Sequence, residues 1–352
     1  MIINPEQLLD EVIKRNASDL HLVHRYPPSL RMNKQLVQLT LYSPLSPEEI
    51  LNFFNVFTTK EQQELFNLNK EIDFGITYKG YRFRANAYTE RDIIAMSLRL
   101  IPKNIFNLDE LQLPKTLGEL AYLKQGFVLV TGQTSQGKST TLASIINEIN
   151  KNRPVHIITV EDPIEFIYDQ GQAIVSQREV KKDTLSFHKA LKSVLREDPD
   201  VIVIGEMRDY ETISIALTLA ETGHLVFSTL HTNSSTQTVD RIIDVFPEEQ
   251  QPQVRTQLAN VLKTIVCQKL LPTTNGESLI PALEILFNNS AISSLIREGK
   301  TFQIDNVLHT SAEEKMIIFE QYLKDLLSRG LITKDTALRY AIRPKLMEEL
   351  IK

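Results

Sequence analysis

Gly132-Gln-Thr-Ser-Gln-Gly-Lys-Ser-Thr140 fits the phosphate-binding pattern G-x-x-x-x-G-K-[ST] in full. The apolar run Gly126-Phe-Val-Leu-Val-Thr131 comes directly before it and predicts a buried parallel strand. After it, residues 141–150 carry apolar side chains at helical spacing. A strand, a glycine-containing loop and a helix in this order predict a nucleotide site at 132–140.

The backbone of this loop is expected to surround phosphate oxygens. Gly132 and Gly137 let the chain curl so that successive N–H groups between them, at Thr134, Ser135 and Gln136, point inward. The N-terminus of the following helix adds the positive end of its dipole. These positions are therefore predicted to bind the nucleotide.

The side chains that follow have separate predicted roles. Lys138 is expected to reach the β- and γ-phosphates, and Thr140 to help hold the α- and β-phosphates. The hydroxyl of Ser139 is expected to ligate Mg²⁺. The predicted cofactors are ATP and Mg²⁺.

The overall composition is typical of a globular protein. The chain has 352 residues, of which 42% are hydrophobic and 24% charged. A net charge of −5 argues against a dedicated nucleic-acid binder, which usually carries a basic excess. No stretch approaches the roughly eighteen apolar residues of a membrane span, and the first residues do not resemble a secretion signal. Cys267, the only cysteine, excludes an intrachain disulfide, fits a reducing cytoplasm and is interpreted as a small buried hydrophobe.

The pattern along the chain predicts an α/β protein with two domains. Residues 1–101 predict a small α+β domain, which includes a hairpin turn at Lys79-Gly80, and residues 102–115 predict a linker. In residues 116–352, strands alternate with helices, which predicts a mainly parallel sheet covered on both faces. Short helices are predicted from about residue 286. The strand candidates are 126–131, 156–160, 201–204 and 225–229.

Carboxylates follow two of these strand candidates. The strand at 201–204 delivers Gly205-Glu206 at its C-terminal end, where open α/β sheets bind ligands. Glu206 is the candidate general base or water-positioning residue. It is also a candidate Mg²⁺ ligand. Because a glycine precedes it in place of an acid, it would bind the ion either directly or through water.

The second acidic stretch is Thr159-Val-Glu-Asp-Pro-Ile-Glu165, in which Glu161 is the second catalytic candidate. Asp162 and Glu165 lie within five residues of it, and Asp162 is equally suited to bracing the loop. A solvated acid at a strand end and an ordinary acidic loop are the structural alternatives for these two stretches.

Two histidines flank the last strand candidate. His224 is interpreted as a nucleotide-binding residue and His231 as a catalytic one, because either is able to contact the γ-phosphate and report hydrolysis to the rest of the domain. The alternative is a satisfied structural histidine. A zinc site is not expected, because no cysteine pairs accompany them.

Taken together, these motifs resemble those of the secretion ATPases, the motors of type II and type IV secretion and of type IV pili. The phosphate loop, Thr159–Glu165, Gly205–Asp209 and Thr222–Thr232 come in the order of that family's Walker A, Asp box, Walker B and His box. The resemblance covers nearly the whole chain and is strongest to the pilus retraction (twitching motility) branch. Further supporting strings are Ala17–Leu22, Gln177–Val180, Leu195–Asp200, Ile243–Pro247 and Leu295–Arg297.

The resemblance implies an ATP-hydrolysing homo-hexameric ring with a PAS-like N-terminal domain and a RecA-like ATPase domain. In such motors the nucleotide lies between the two domains, and arginines of the N-terminal domain complete the site. Arg84 and Arg99 stand in matching strings here, with surface arginines as the alternative reading. The implied partners are an inner-membrane pilus platform protein and a second retraction ATPase, with the chain peripheral at the cytoplasmic face of the membrane.

The sequence also departs from the retraction pattern. Ser293 and Ser294 stand where that branch tends to carry Arg and Asn, and Gln133, Ser135 and Gln136 stand where Pro, Gly and Ser are common. The alternatives to a retraction motor are a pilus assembly or secretion ATPase, an accessory subunit gated by nucleotide, and a nucleic-acid translocase. The negative net charge disfavours the last of these.

Overall fold

The computed structural model describes residues 4–32, 35–101, 104–276 and 278–352. The chain divides into two compact units. The N-terminal unit comprises Met1–Asn104 with Pro163–Ile167, and the C-terminal unit comprises Ile105–Asp162 with Tyr168–Lys352. The predicted start of the linker, at Pro102 and Lys103, lies outside the described residues.

The N-terminal unit is an antiparallel sheet with three helices. Its sheet has the strand order β3-β2-β1-β6-β5-β4. The elements in chain order are α1 (Pro5–Lys14), β1 (Asp19–Leu22), β2 (Ser29–Met32), β3 (Gln35–Gln38), α2 (Pro47–Phe57), α3 (Lys60–Asn69), β4 (Glu71–Tyr78), β5 (Tyr81–Glu90) and β6 (Ile93–Ile101).

Local sequence accounts for much of this unit. Ser46 caps α2 in a reciprocal capping box with Glu49, and the predicted turn at Lys79-Gly80 joins β4 to β5 with both residues at positive φ. Apolar residues of one sheet face pack on the helices in a single core. Helix α3 leaves little signal in the sequence, because Phe66 is its only buried side chain and the helical pattern is correspondingly weak.

The C-terminal unit is built on a seven-stranded sheet with the order β13-β12-β7-β11-β10-β8-β9. Every neighbouring pair is parallel except β12 and β13, which confirms the predicted α/β class and mainly parallel sheet. Its elements begin with α4 (Thr116–Glu119), β7 (Gly126–Thr131), α5 (Lys138–Asn152), β8 (His156–Glu161), β9 (Ile174–Glu179), α6 (Phe187–Val194), β10 (Val201–Ile204), α7 (Tyr210–Glu221) and β11 (Leu225–Leu230). They continue with α8 (Ser235–Asp244), α9 (Gln251–Val261), β12 (Leu262–Pro272) and β13 (Leu279–Phe287).

The sheet is buried on both faces, which explains the uninterrupted apolar strands. Phe127 and Leu129 of β7 face one hydrophobic cluster, and Val128 faces another that includes Ile145 and Ile149 of α5. Strands β9, β12 and β13 are not among the strands predicted from the sequence. Strand β12 follows α9 without an intervening turn residue, so no local signal separates the helix from the strand.

The chain ends in short helices, which follow β13. They are α10 (Ser290–Arg297), α11 (Ile304–Thr310), α12 (Phe319–Ser328), α13 (Lys334–Tyr340) and α14 (Pro344–Leu350). Apolar residues of α12 to α14, including Phe319, Leu323 and Met347, pack on Leu271 and Ile280 of the β12–β13 hairpin. None of the helices in the described parts of the chain combines the length and the apolar character needed to cross a membrane.

Candidate nucleotide-binding site

The phosphate loop connects the end of β7 to the start of α5, as the sequence predicts. Gly132 has φ +147° and Gly137 has φ +77°, so both occupy backbone conformations that favour glycine. Close packing adds a second reason for glycine. A Cβ at Gly132 would overlap the carbonyl oxygen of Gln268, and one at Gly137 would lie 2.9 Å from the Gln268 Nε2. The loop therefore lies directly against β12.

The ammonium group of Lys138 lies inside this loop. Its Nζ donates to the carbonyl oxygens of Gly132 at 2.7 Å and Gln133 at 2.9 Å. The same Nζ lies 3.5 Å from Nδ1 of His231, the histidine that follows β11. Lys138 is buried, so its charge is held at a defined position at the end of the sheet.

Glu206 and His231 lie next to each other at the same edge of the sheet. Nε2 of His231 is 3.4 Å from the Glu206 carboxylate, and Arg208 Nη2 is 2.7 Å from its other oxygen. The backbone before Glu206 is anchored by the Thr229 hydroxyl, which donates to the carbonyl of Gly205 at 2.7 Å. The ring of His231 therefore bridges Lys138 and Glu206, three residues that the sequence analysis had placed in the site.

Glu161 lies at the end of β8, the strand next to β10. Its Oε1 accepts hydrogen bonds from the Thr159 hydroxyl at 2.7 Å and from Gln177 Nε2 at 3.4 Å. A Cβ at Gly205 would lie 3.3 Å from the Glu161 Cα. Glycine at position 205 thus permits the ends of β8 and β10, which carry Glu161 and Glu206, to approach each other. This close approach is a physical reason for a glycine at position 205 in place of an acid.

The other two acids of this stretch form ion pairs with basic side chains. Asp162 has Lys181 Nζ 3.6 Å from its carboxylate, which agrees with the alternative that it braces the loop. Glu165 belongs to the N-terminal unit, where its carboxylate lies 3.5 Å from Arg84 Nη1.

Arg84 and Arg99 lie on neighbouring strands of the N-terminal sheet and are direct cross-strand partners. Arg99 Nε donates to Asp19 at 2.9 Å, and Asp19 is in turn its partner on β1. Both guanidinium-bearing side chains are substantially exposed, at 41% for Arg84 and 59% for Arg99. The structure thus brings the two predicted arginines together on one face of the sheet.

His224 lies at the opposite end of β11 from the phosphate loop, so this chain does not bring it together with the other predicted site residues. It directly precedes β11, level with Gly126 at the start of β7, whereas the phosphate loop follows the end of that strand. Six residues of strand separate the two positions, a distance of about 20 Å. The His224 ring contacts the Leu219 carbonyl at 2.9 Å, so it behaves as the satisfied structural histidine that was the alternative.

A cavity of about 610 Å³ opens beside the start of α5. Thr140 and Gly137 lie on its wall together with Gln268 and Leu270 of β12. Ser139 occupies the second position of α5, and Thr134 is exposed in the loop. Space for the part of a nucleotide that extends beyond its phosphates is therefore present next to the loop.

Three contributors were missed at the sequence level. Gln268 is buried and contacts both the loop and Thr141. Arg208 pairs with Glu206, and Thr159 orients Glu161. Of these, Gln268 left a signal, since it is a polar residue at the end of the apolar run Thr264-Ile-Val-Cys267.

Cys267 has the structural role that the sequence suggested. It is buried, and burial raises the pKa of its thiol to about 12. Thr131 donates a hydrogen bond to its sulfur at 3.1 Å. Burial therefore disfavours the thiolate, which is the form of cysteine that acts as a nucleophile or a metal ligand.

The fold and this site define a nucleotide-binding protein of the phosphate-loop class. Residues 2–350 match the family described as type II/IV secretion system protein, and the chain belongs to that family. It is 44% identical to a twitching motility protein of Neisseria gonorrhoeae over 89% of this chain and 84% of that protein. It is also 42% identical to the type IV pilus ATPase PilU of Pseudomonas aeruginosa, over 96% and 88% of the two chains.

A solved structure is similar over almost the full length. The crystal structure of the pilus retraction motor PilT with bound ADP is 41% identical to this chain and covers 99% of both chains, with a TM-score of 0.91. This match confirms the fold class expected from the resemblance to secretion motors.

Proposed function

We propose that this protein is an ATP-hydrolysing motor that powers the retraction of type IV pili. The observation that carries the proposal is the line of contacts from Lys138 through His231 to Glu206, beside a phosphate loop. Similarity to a twitching motility protein, to a type IV pilus ATPase and to a retraction motor that binds ADP supports the same function.

The phosphate loop and α5 would hold the nucleotide. Backbone N–H groups at Thr134–Gly137 would donate to phosphate oxygens, and Lys138 would exchange its present carbonyl partners for the β- and γ-phosphates. Thr140 would contact the α- and β-phosphates, and the adjacent cavity would accept the nucleoside.

Glu206 would orient or deprotonate the attacking water. Its carboxylate is only 22% exposed and is held from two sides by Arg208 and His231. Glu161, fixed by Thr159 at the neighbouring strand end, would be the second carboxylate. His231 touches both Lys138 and Glu206, so its ring is placed to sense the state of the γ-phosphate.

The donor set at the loop fits Mg²⁺ bound together with a nucleotide. Among the residues that the structure describes, no group of three or more His, Cys, Asp or Glu is arranged to hold a metal by itself. The Ser139 hydroxyl and the Glu206 carboxylate are oxygen donors of the kind that Mg²⁺ prefers, and phosphate oxygens and water would supply the rest. Bound there, Mg²⁺ would neutralise charge that develops on the phosphates.

Arg84 and Arg99 would complete the site in a homo-hexameric ring. Their guanidinium groups offer planar forks suited to phosphoryl oxygens, and both are accessible on the sheet face. In the ring that the family resemblance implies, the N-terminal unit packs on a neighbouring subunit. The remaining partners would be an inner-membrane platform protein and a second retraction ATPase, with the ring at the cytoplasmic face of the membrane.

The test is to delete the gene in its host and count surface pili per cell, alongside phosphate release by the purified protein. A retraction motor predicts phosphate release and an excess of pili that do not retract. Cells without surface pili would identify an assembly motor and would overturn the proposed direction of force. Complementation with the wild-type gene is the control.

An accessory, nucleotide-gated retraction subunit is the second candidate. Helix α10 favours it, because Ser293 donates there to the Ala259 carbonyl and to the Asn288 side chain, both at 3.0 Å. A side chain at 293 thus braces the helix against α9, where the retraction branch tends to carry a charged residue. Nucleotide binding without phosphate release would favour this candidate over the motor.

A further inference from the structure

The phosphate loop is fastened to β12 by two glutamine side chains. Gln136 accepts a hydrogen bond from the backbone N–H of Leu270 through its side-chain Oε1, at 2.6 Å. In the opposite direction, Gln268 Nε2 donates to the backbone carbonyl of Gln136 at 2.7 Å. Gln268 Oε1 also accepts from the Thr141 hydroxyl at 2.7 Å, which ties the first turn of α5 to the same strand.

Ser135, the residue before Gln136, has an unfavourable backbone conformation. Ser135 has φ +62°, in the left-handed region that residues with a Cβ rarely adopt. A neighbouring interaction must therefore hold the loop in this form, since a serine at this position favours other conformations. Gln136 is the next residue along the chain, and its side chain bonds to a strand in the core of the sheet.

The strand that holds the loop is rigid and close. Strand β12 pairs with β7 on one side and β13 on the other, and Gln268 is buried. A Cβ at Gly132 would collide with the backbone carbonyl of Gln268, and one at Gly137 would lie 2.9 Å from the Nε2 of its side chain. The bond from Leu270 to Gln136 thus fixes the loop against a surface that has little freedom to move.

We propose that Gln136 is a positioning residue that keeps the phosphate loop in its binding form by accepting the Leu270 N–H, and so offsets the strain at Ser135. The inference rests on the proposed nucleotide site. It assigns to the Gln136 side chain a role that does not involve contact with phosphate. A loop arranged in advance loses less conformational freedom when phosphate binds. Loss of the brace should therefore weaken nucleotide affinity.

The test is a double-mutant cycle between Gln136→Met and Ser135→Gly in the full chain. The readout is the dissociation constant for fluorescent ADP with Mg²⁺, and each variant is checked for an unchanged melting temperature. Methionine matches glutamine in length but has no carbonyl acceptor, so Gln136→Met should raise the dissociation constant about tenfold. In the Ser135→Gly background the same substitution should raise it less than about threefold, because glycine removes the strain.

Gln257→Met is the matched control. It removes an amide that donates to Glu221 at 2.8 Å elsewhere in the C-terminal unit, and it should change the dissociation constant less than about twofold. Gln136→Ser serves as a second variant if the methionine protein does not fold. An effect of Gln136→Met below twofold, or an equal effect in both backgrounds, would overturn the proposal. Absence of ADP binding by the wild-type protein would instead overturn the nucleotide site itself.

Discussion

Arg84 and Arg99 lie directly opposite each other on β5 and β6, so two cations occupy one cross-strand pair of the N-terminal sheet. Like charges in this position destabilise a sheet. Asp19 and Glu165 each compensate one of the two guanidinium groups, at 2.9 Å and 3.5 Å. A cross-strand pair of like charges, which reduces stability, is expected where the charges bind a ligand. This expectation agrees with the proposed role of both arginines.

Replacement of Arg84 by glutamine should therefore separate stability from activity. Because the variant relieves the repulsion from Arg99, we expect its melting temperature to be equal to or higher than that of the wild type. Its kcat for ATP should fall about a hundredfold or more if the guanidinium stabilises the transferring phosphate. Arg31→Gln, on β2 in the same cross-strand row of residues, is the control. A destabilised Arg84→Gln protein with normal turnover would remove Arg84 from the site.

Lys138→Ala should remove most of the affinity for nucleotide. The ammonium group would make charge-assisted bonds to phosphate, so we expect the dissociation constant for ADP with Mg²⁺ to rise about a hundredfold or more. Calorimetric titration measures this directly. Lys151→Ala, at the exposed end of the same helix, should bind like the wild type, and equal affinity of the two variants would contradict the assigned role.

Glu206→Gln should bind ATP but not turn it over. The amide retains the shape of the side chain and loses the negative charge that activates water, so kcat should fall about a hundredfold or more while ATP affinity stays within a fewfold. A phosphate-release assay and a binding titration on the same preparation separate the two effects. Glu211→Gln on the exposed surface of α7 is the matched control. Normal turnover by Glu206→Gln would disprove the assignment.

Arg343 should be important for stability and unimportant for nucleotide chemistry. Its guanidinium lies 3.0 Å from Glu320 and 3.3 Å from Glu284, both fully buried, and 2.7 Å from Asp305. Arg343→Met would remove a guanidinium group that pairs with two buried carboxylates, at a cost of about 3–5 kcal/mol in the free energy of unfolding. Urea denaturation measures the change.

The control for Arg343 is Arg329→Met. Arg329 forms an exposed ion pair with Asp325 one helical turn away, which contributes at most about 0.5 kcal/mol. Equal losses of stability in the two variants would show that burial does not set the strength of the Arg343 cluster.

His21 should make the N-terminal unit less stable in mild acid. Burial lowers the pKa of His21 below its usual value; Asp19 opposes this effect, whereas Arg31 and Arg99 reinforce it. Because the unfolded chain then binds a proton more readily than the folded one, stability is lost as pH falls through the ordinary histidine pKa of about 6.5. The urea midpoint should therefore drop between pH 7.5 and pH 5.5.

Substitution of His21 isolates this contribution. His21→Asn should reduce the drop in the urea midpoint, whereas replacement of the exposed His309 by asparagine should not. An unchanged pH dependence in His21→Asn would assign the acid sensitivity to other groups.

The sequence by itself determined the parts of this protein that depend on neighbouring residues. The phosphate loop needs a strand before it, glycines within it and a helix after it, and all of these lie between residues 126 and 150. The positions of Glu206 and Glu161 followed in the same way, since each directly follows or ends an apolar strand. Local spacing is sufficient for such features because parallel strands present their C-terminal ends at one edge of the sheet.

Only the tertiary structure decided which of these residues meet. His224 and His231 are similar in sequence context, but strand direction places one at each end of β11, so a single element separates them. Gln268 reaches the phosphate loop across more than a hundred residues of chain, because β12 pairs with β7. Contacts of this kind arise from strand order and register, and no short stretch of sequence contains that information.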